Sequence, residues 1–177
     1  GSADVTIENS RLLQISAGQN SRQDDGSSVY AGGVSSVNID LTREGEQTTS
    51  VFKGFLYSEG QTEGENTATI SVNSSNILVS ASSELSFDVD PSVHHVSALY
   101  ATSGGKIDLN ATDLIAVATN LPEAQADGVS YKERAVWAEC GDIDLSGSEL
   151  QIDTVNGKVY DANNVGAAIV AGASYSD

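Results

Sequence analysis

The stretch Lys106-Ile107-Asp108-Leu109 decides the fold, because it returns one repeat later as Asp142-Ile143-Asp144-Leu145. The same apolar-polar-apolar triplet occurs earlier as Val5-Thr6-Ile7, Val37-Asn38-Ile39 and Ile70-Ser71-Val72. Successive triplets are separated by 32, 33, 37 and 36 residues. A nearly constant period with elastic spacing is typical of stacked units, in which differences in length fall in loops while the strands keep their register. We therefore predict a solenoid.

Two further short strands follow each triplet. Second strands such as Ile77-Leu78-Val79 begin seven residues after the triplet, and small polar residues between the two predict a turn. In the second repeat Val51-Phe52 comes late, which predicts a bulge or a displaced strand. The third strands are Val29-Tyr30-Ala31, Leu56-Tyr57-Ser58, Leu99-Tyr100-Ala101, Val136-Trp137-Ala138 and Ile169-Val170-Ala171.

Three strands and three turns per repeat predict an all-β chain, a parallel β-helix (β-solenoid) of about five coils. We expect a single domain over residues 3–177, with Gly1-Ser2 as a tag remnant. Because strand side chains alternate, the first and third members of each third strand should face the core. The residues expected to be least accessible are Leu99, Ile107, Leu109, Val136, Ile143 and Leu145. Long loops should leave one side of the coil at residues 17–28, 82–95, 120–134 and 154–166.

The net charge and the cysteine content limit the classes of partner and the cellular compartments that suit this chain. Eight basic residues against 25 acidic ones give a net charge of -17, which repels nucleic acid and anionic lipid. We therefore expect no nucleic-acid partner, and no apolar run is long enough for membrane insertion. The single cysteine, Cys140, cannot form an internal disulfide, which suits either a reducing compartment or an exported protein that avoids cysteine.

Residues 98–112, with the sequence ALYATSGGKIDLNAT, are echoed by AVWAECGDIDLSGS at residues 135–148. These runs resemble the passenger domains of bacterial autotransporters (type V secretion), which are right-handed parallel β-helices. The resemblance implies an extracellular location at the bacterial cell surface and a fragment of a longer passenger. It implies no cofactor, and the family has no universal catalytic residues to transfer to this chain.

Four aromatic residues, Tyr30, Tyr57, Tyr100 and Trp137, occupy the central position of the third strands. They should form a column on the face opposite the core. Aromatic rings stack on sugars and anchor protein interfaces, so this column is a candidate binding site. The alternative is that the long loops fold over the column and bury the rings.

Asp108 and Asp144 occupy equivalent outward positions in adjacent coils. Two carboxylates held close together could share a proton, bind a cation or act as a glycosidase pair. The alternative is a solvated acidic ladder. His94 and His95 would point to opposite faces of a strand, so we expect no metal site there.

Two classes of function remain. The first is a non-enzymatic adhesin-type module that contacts a host or bacterial surface glycan or protein, or another copy of itself, through the loop-bearing side. The second is a carbohydrate-active β-helix enzyme, a polysaccharide lyase or glycoside hydrolase. Lyases of this architecture need clustered cations, and here only Lys132 and Arg134 could cluster. The sequence therefore favours the non-enzymatic module.

Overall fold

The computed structural model describes residues 2–17, 26–62, 65, 67–82, 93–120, 130–155 and 168–172. Within those ranges the chain forms β-strands and no helix. The strands are β1 (Asp4–Glu8), β2 (Leu12–Ser16), β3 (Ser27–Gly33), β4 (Ser36–Asp40), β5 (Thr49–Lys53), β6 (Phe55–Gly60), β7 (Ala68–Ala81), β8 (Val93–Thr102), β9 (Gly105–Asn120), β10 (Ser130–Glu139), β11 (Asp142–Ser146), β12 (Glu149–Val155) and β13 (Ile169–Ala171).

The strands form three parallel ladders, which confirms the predicted all-β parallel solenoid. The first ladder runs β1-β4-β7-β9-β11, the second β2-β5-β7-β9-β12 and the third β3-β6-β8-β10-β13. The long strands β7 and β9 each contribute to the first two ladders. Equivalent triplet positions pair in register, as in Ile70 with Ile107 and Ile107 with Ile143. The repeat period therefore predicted the register correctly.

The structure is a solenoid of about three turns, whereas the repeat count predicted five coils. The three turns are the inner ones, and an outer, less complete turn flanks them at each end. The inner turns, formed by β4 to β10, pair with a neighbour on both sides and contain most of the buried core. Within the described residues, the first and last turns pair on one side only, so their side chains are more open. Leu99, Ile107, Leu109 and Val136 are buried as predicted. The prediction was wrong for Ile143 and Leu145 of the last turn, which are only half-buried.

The sequence made two predictions about irregular places in the ladders, of which one is confirmed and one is wrong. The displaced strand predicted in the second repeat is confirmed, because β5 pairs Thr49 with Leu12 and Val51 with Leu78. The turns predicted between the first and second strands at residues 73–75 and 110–112 are wrong, because β7 and β9 continue through these residues. In β7 there is a register shift between Ser74 and Asn76. Pairing with β9 is interrupted only at this shift, because Ser74 pairs with Ala111 and pairing resumes at Asn76 with Leu114.

The candidate site lies on the third ladder. Its inward residues, including Leu56, Leu99 and Ala101, are buried against the other two ladders. Strands β8 and β10 begin earlier than predicted, at Val93 and Ser130. The long loops at residues 17–28, 82–95, 120–134 and 154–166 lie mostly outside the described residues, so their position on one side stays a prediction.

Candidate functional site: an aromatic column

The four aromatic residues form one continuous column on the third ladder. Tyr30 pairs with Tyr57, Tyr57 with Tyr100, and Tyr100 with Trp137. Successive ring centroids are separated by 5.1, 5.1 and 4.6 Å. These distances match the spacing of neighbouring strands, so parallel in-register pairing alone brings each ring onto the next.

The column is open at one end and closed at the other. Tyr30 is 51% exposed and Tyr57 is half-buried, whereas Tyr100 is 2% and Trp137 is 1% exposed. Burial of the rings, which the sequence left as an alternative, therefore applies to Tyr100 and Trp137. The open platform is confined to the Tyr30 end.

Residues of β8 and β10 cover the closed end. The guanidinium carbon of Arg134 lies 4.3 Å from the centre of the Trp137 ring, and the His95 ring stacks on Trp137 at 5.5 Å. Arg134 Nη1 lies 3.0 Å from His95 Nδ1. The indole nitrogen of Trp137 donates to the Gly172 carbonyl oxygen at 3.1 Å. Burial lowers the pKa of Arg134, although the nearby carboxylate of Glu139 opposes this effect. The sequence identified Arg134 only as a cation near Lys132.

A tyrosine-glutamate hydrogen bond occurs twice along the column. The Tyr30 hydroxyl donates to Glu59 Oε2 at 3.0 Å, and the Tyr100 hydroxyl donates to Glu139 Oε2 at 2.5 Å. Burial first, and then the neighbouring carboxylate, raise the pKa of both tyrosines. Sequence reasoning missed both glutamates. The available signal was their shared position, two residues after Tyr57 and Trp137 respectively.

Asp108 and Asp144 pair in register on the first ladder, as predicted. Each carboxylate has a local partner, because Asn110 Nδ2 donates to Asp108 Oδ1 at 2.9 Å and Lys106 Nζ lies 2.9 Å from Asp144 Oδ2. The hydrogen bond with Asp144 raises the pKa of Lys106. Repulsion between the two carboxylates is thus offset by neighbours on the same face.

The remaining candidates of the sequence are dispersed. His94 pairs with Tyr131 through the backbone, and His95 belongs to the covered end of the column. Cys140 is exposed at the turn after β10, with φ of 54°. Nowhere in the described ranges do three His, Cys, Asp or Glu side chains come close enough to hold a metal ion.

Comparison with known proteins found no matching family model, no matching curated protein and no matching solved structure. No helix in the described part of the chain is long and apolar enough to cross a membrane. A functional assignment therefore depends on the geometry of the aromatic column and of the carboxylate pair.

Proposed function

We propose that this chain is a non-enzymatic adhesin-type module of a secreted or surface-exposed bacterial protein, similar to an autotransporter passenger. The solenoid acts as a rigid support, and the open end of the aromatic column contacts a glycan or a protein. The observation that carries the proposal is the 51% exposure of Tyr30 at the end of a stack of rings. A ring already fixed by stacking and by a hydrogen bond loses little conformational entropy on binding.

The positions of the carboxylates support a binding module over the alternative carbohydrate-active enzyme. A glycosidase needs its two carboxylates on either side of the bond to be cleaved, close to the surface that binds the sugar. Asp108 and Asp144 lie on the first ladder, whereas the aromatic column lies on the third. Both carboxylates are also engaged by local partners, Asn110 and Lys106.

The experiment compares Tyr30→Ala with Leu12→Ala, a matched control that removes another exposed apolar side chain, 63% accessible, from the second ladder. Purified parent and variants are tested for binding to immobilised glycans and to bacterial and host cells, and for self-association by sedimentation. We expect Tyr30→Ala to weaken binding by roughly tenfold or more, since truncated aromatic anchors commonly cost this much. Leu12→Ala should bind like the parent.

Two results would contradict the proposal. In the first, Tyr30→Ala binds every surface as tightly as the parent. In the second, the parent releases reducing ends or unsaturated sugars from a polysaccharide, and alanine at both Asp108 and Asp144 abolishes that release. The second result would establish the enzyme alternative.

A further inference from the structure

The closed end of the aromatic column shows which kind of group can bind on this face of the third ladder. There the guanidinium of Arg134 lies over the Trp137 ring. Glu139 follows Trp137 by two residues on the same strand, and its charge partly offsets the lowering of the Arg134 pKa by burial. A guanidinium over an aromatic face gains cation–π attraction, and a nearby carboxylate adds charge complementarity. The column thus already accommodates one cation, supplied by the chain itself.

The open end repeats the aromatic and acidic parts of that arrangement. Glu59 and Glu139 both pair with Thr102, one from each side, so they occupy the same position of the repeat two levels apart in the third ladder. The Tyr30 hydroxyl bonds Glu59 in the way that the Tyr100 hydroxyl bonds Glu139. Glu59 uses Oε2 for this bond, and its Oε1 has no partner among the described residues. A carboxylate accepts further bonds through that second oxygen.

The open end has no equivalent of Arg134 at the corresponding chain position. Three residues before the aromatic, where the fourth repeat has Arg134, the first repeat has Ser27 and the second has Gly54. Gly54 adopts φ of 129°, and a Cβ there would lie 2.6 Å from the Gly26 carbonyl oxygen. No side chain fits at Gly54, so the fold excludes an internal cation from this position in the second repeat.

We propose that the open end of the column, formed by Tyr30, Tyr57 and Glu59, binds the guanidinium of an arginine side chain on a partner protein. The inference rests on the proposed binding function and specifies its ligand. The net charge of -17 attracts a basic partner over long range, which increases the rate of encounter. A neutral sugar would stack on Tyr30 but would gain nothing from this charge.

The test uses two synthetic peptides of the same sequence, one with a single arginine and one with citrulline in its place. Citrulline keeps the shape of the side chain and removes the positive charge. Binding to the parent protein is followed by the shifts of the Tyr30 signals in NMR titrations. We expect the arginine peptide to bind roughly tenfold more tightly than the citrulline peptide, the size expected for a partly desolvated cation–π contact with a carboxylate.

Variants locate the interaction on the protein. Glu59→Gln keeps an oxygen for the Tyr30 hydroxyl and removes one negative charge. Glu8→Gln removes one negative charge from an exposed glutamate at the end of β1 and is the matched control for long-range attraction. We expect Glu59→Gln to weaken binding of the arginine peptide by roughly fivefold or more, and Glu8→Gln by less than about twofold. Circular dichroism verifies that both variants fold.

Three outcomes would overturn the inference: no binding of the arginine peptide, equal binding of the two peptides, or equal effects of Glu59→Gln and Glu8→Gln. If a neutral glycan binds in a manner that requires Tyr30 but not Glu59, the inference fails while the proposed function stands. If Tyr30→Ala leaves both peptide and glycan binding unchanged, the proposed function fails as well.

Discussion

The two ends of the aromatic column occupy the same position of the repeat but have opposite environments. Tyr30 and Trp137 are both central residues of third strands, and each stacks on the next ring at about the strand spacing. Tyr30 is half exposed to solvent, whereas Trp137 is covered by Arg134 and His95. The repeat therefore determines where an aromatic side chain lies, while residues outside the repeat determine whether that side chain can meet a ligand.

The largest expected difference between the two ends is in stability. Trp137→Ala removes a buried ring, its cation–π contact with Arg134 and its hydrogen bond to Gly172. We expect it to lower the free energy of unfolding by about 3–5 kcal/mol. Tyr30→Ala removes an exposed ring and should cost less than about 1 kcal/mol. Urea denaturation of both variants measures the two values. Similar losses would show that the closed end is not the more tightly packed one.

The sequence predicted the ladders well because their determinants are local and periodic. Alternation placed Leu99 and Leu109 in the core, and the triplet spacing set the pairing of Ile70 with Ile107. It overestimated the burial of Leu145, because a periodic pattern does not show which repeats have a neighbour on both sides.

The candidate site was predicted in part. The column itself followed from the repeat, as did the pairing of Asp108 with Asp144. The cover over Trp137 did not follow, because Arg134 lies three residues away, outside the alternation of a strand. Nor did the bond from Tyr100 to Glu139, since it joins adjacent turns and involves residues 39 apart in the chain.

The second difference between the ends concerns alkaline pH. Burial and the bond to Glu139 raise the pKa of Tyr100 well above its ordinary value of about 10. Above pH 10 the unfolded chain has therefore released a proton that the folded protein still holds. When the folded protein holds a proton that the unfolded chain has lost, the free energy of unfolding falls as pH rises. The stabilisation that Tyr100 contributes is therefore present in full only below about pH 10.

We expect Tyr100→Phe to reduce the loss of stability between pH 8 and pH 11 more than Tyr30→Phe does, because Tyr30 is the more exposed of the two tyrosines. Thermal melting of the parent and both variants from pH 8 to pH 11 measures the slopes. The baseline stability of each variant is taken at pH 8, so loss of the hydroxyl contact itself does not affect the comparison. Parallel slopes for all three proteins would mean that Tyr100 ionises as readily in the folded state as in the unfolded chain.

The smallest difference is expected between the two glutamates. Glu139 accepts a hydrogen bond from a buried tyrosine and stabilises the positive charge of the buried Arg134. Glu59 accepts the corresponding bond from the exposed Tyr30, where water competes for the hydroxyl. Because glutamine retains an acceptor oxygen, Glu139→Gln should cost roughly 1 kcal/mol, mainly through the lost charge beside Arg134, and Glu59→Gln less than about 0.5 kcal/mol. Urea denaturation at low and high salt separates the two cases, since salt screens a charge beside the exposed Tyr30 more than a charge beside the buried Arg134 and Tyr100. Equal costs at both salt concentrations would indicate that Glu139 does not act on Arg134, and the closed end would then lose its value as a template for arginine binding at the open end.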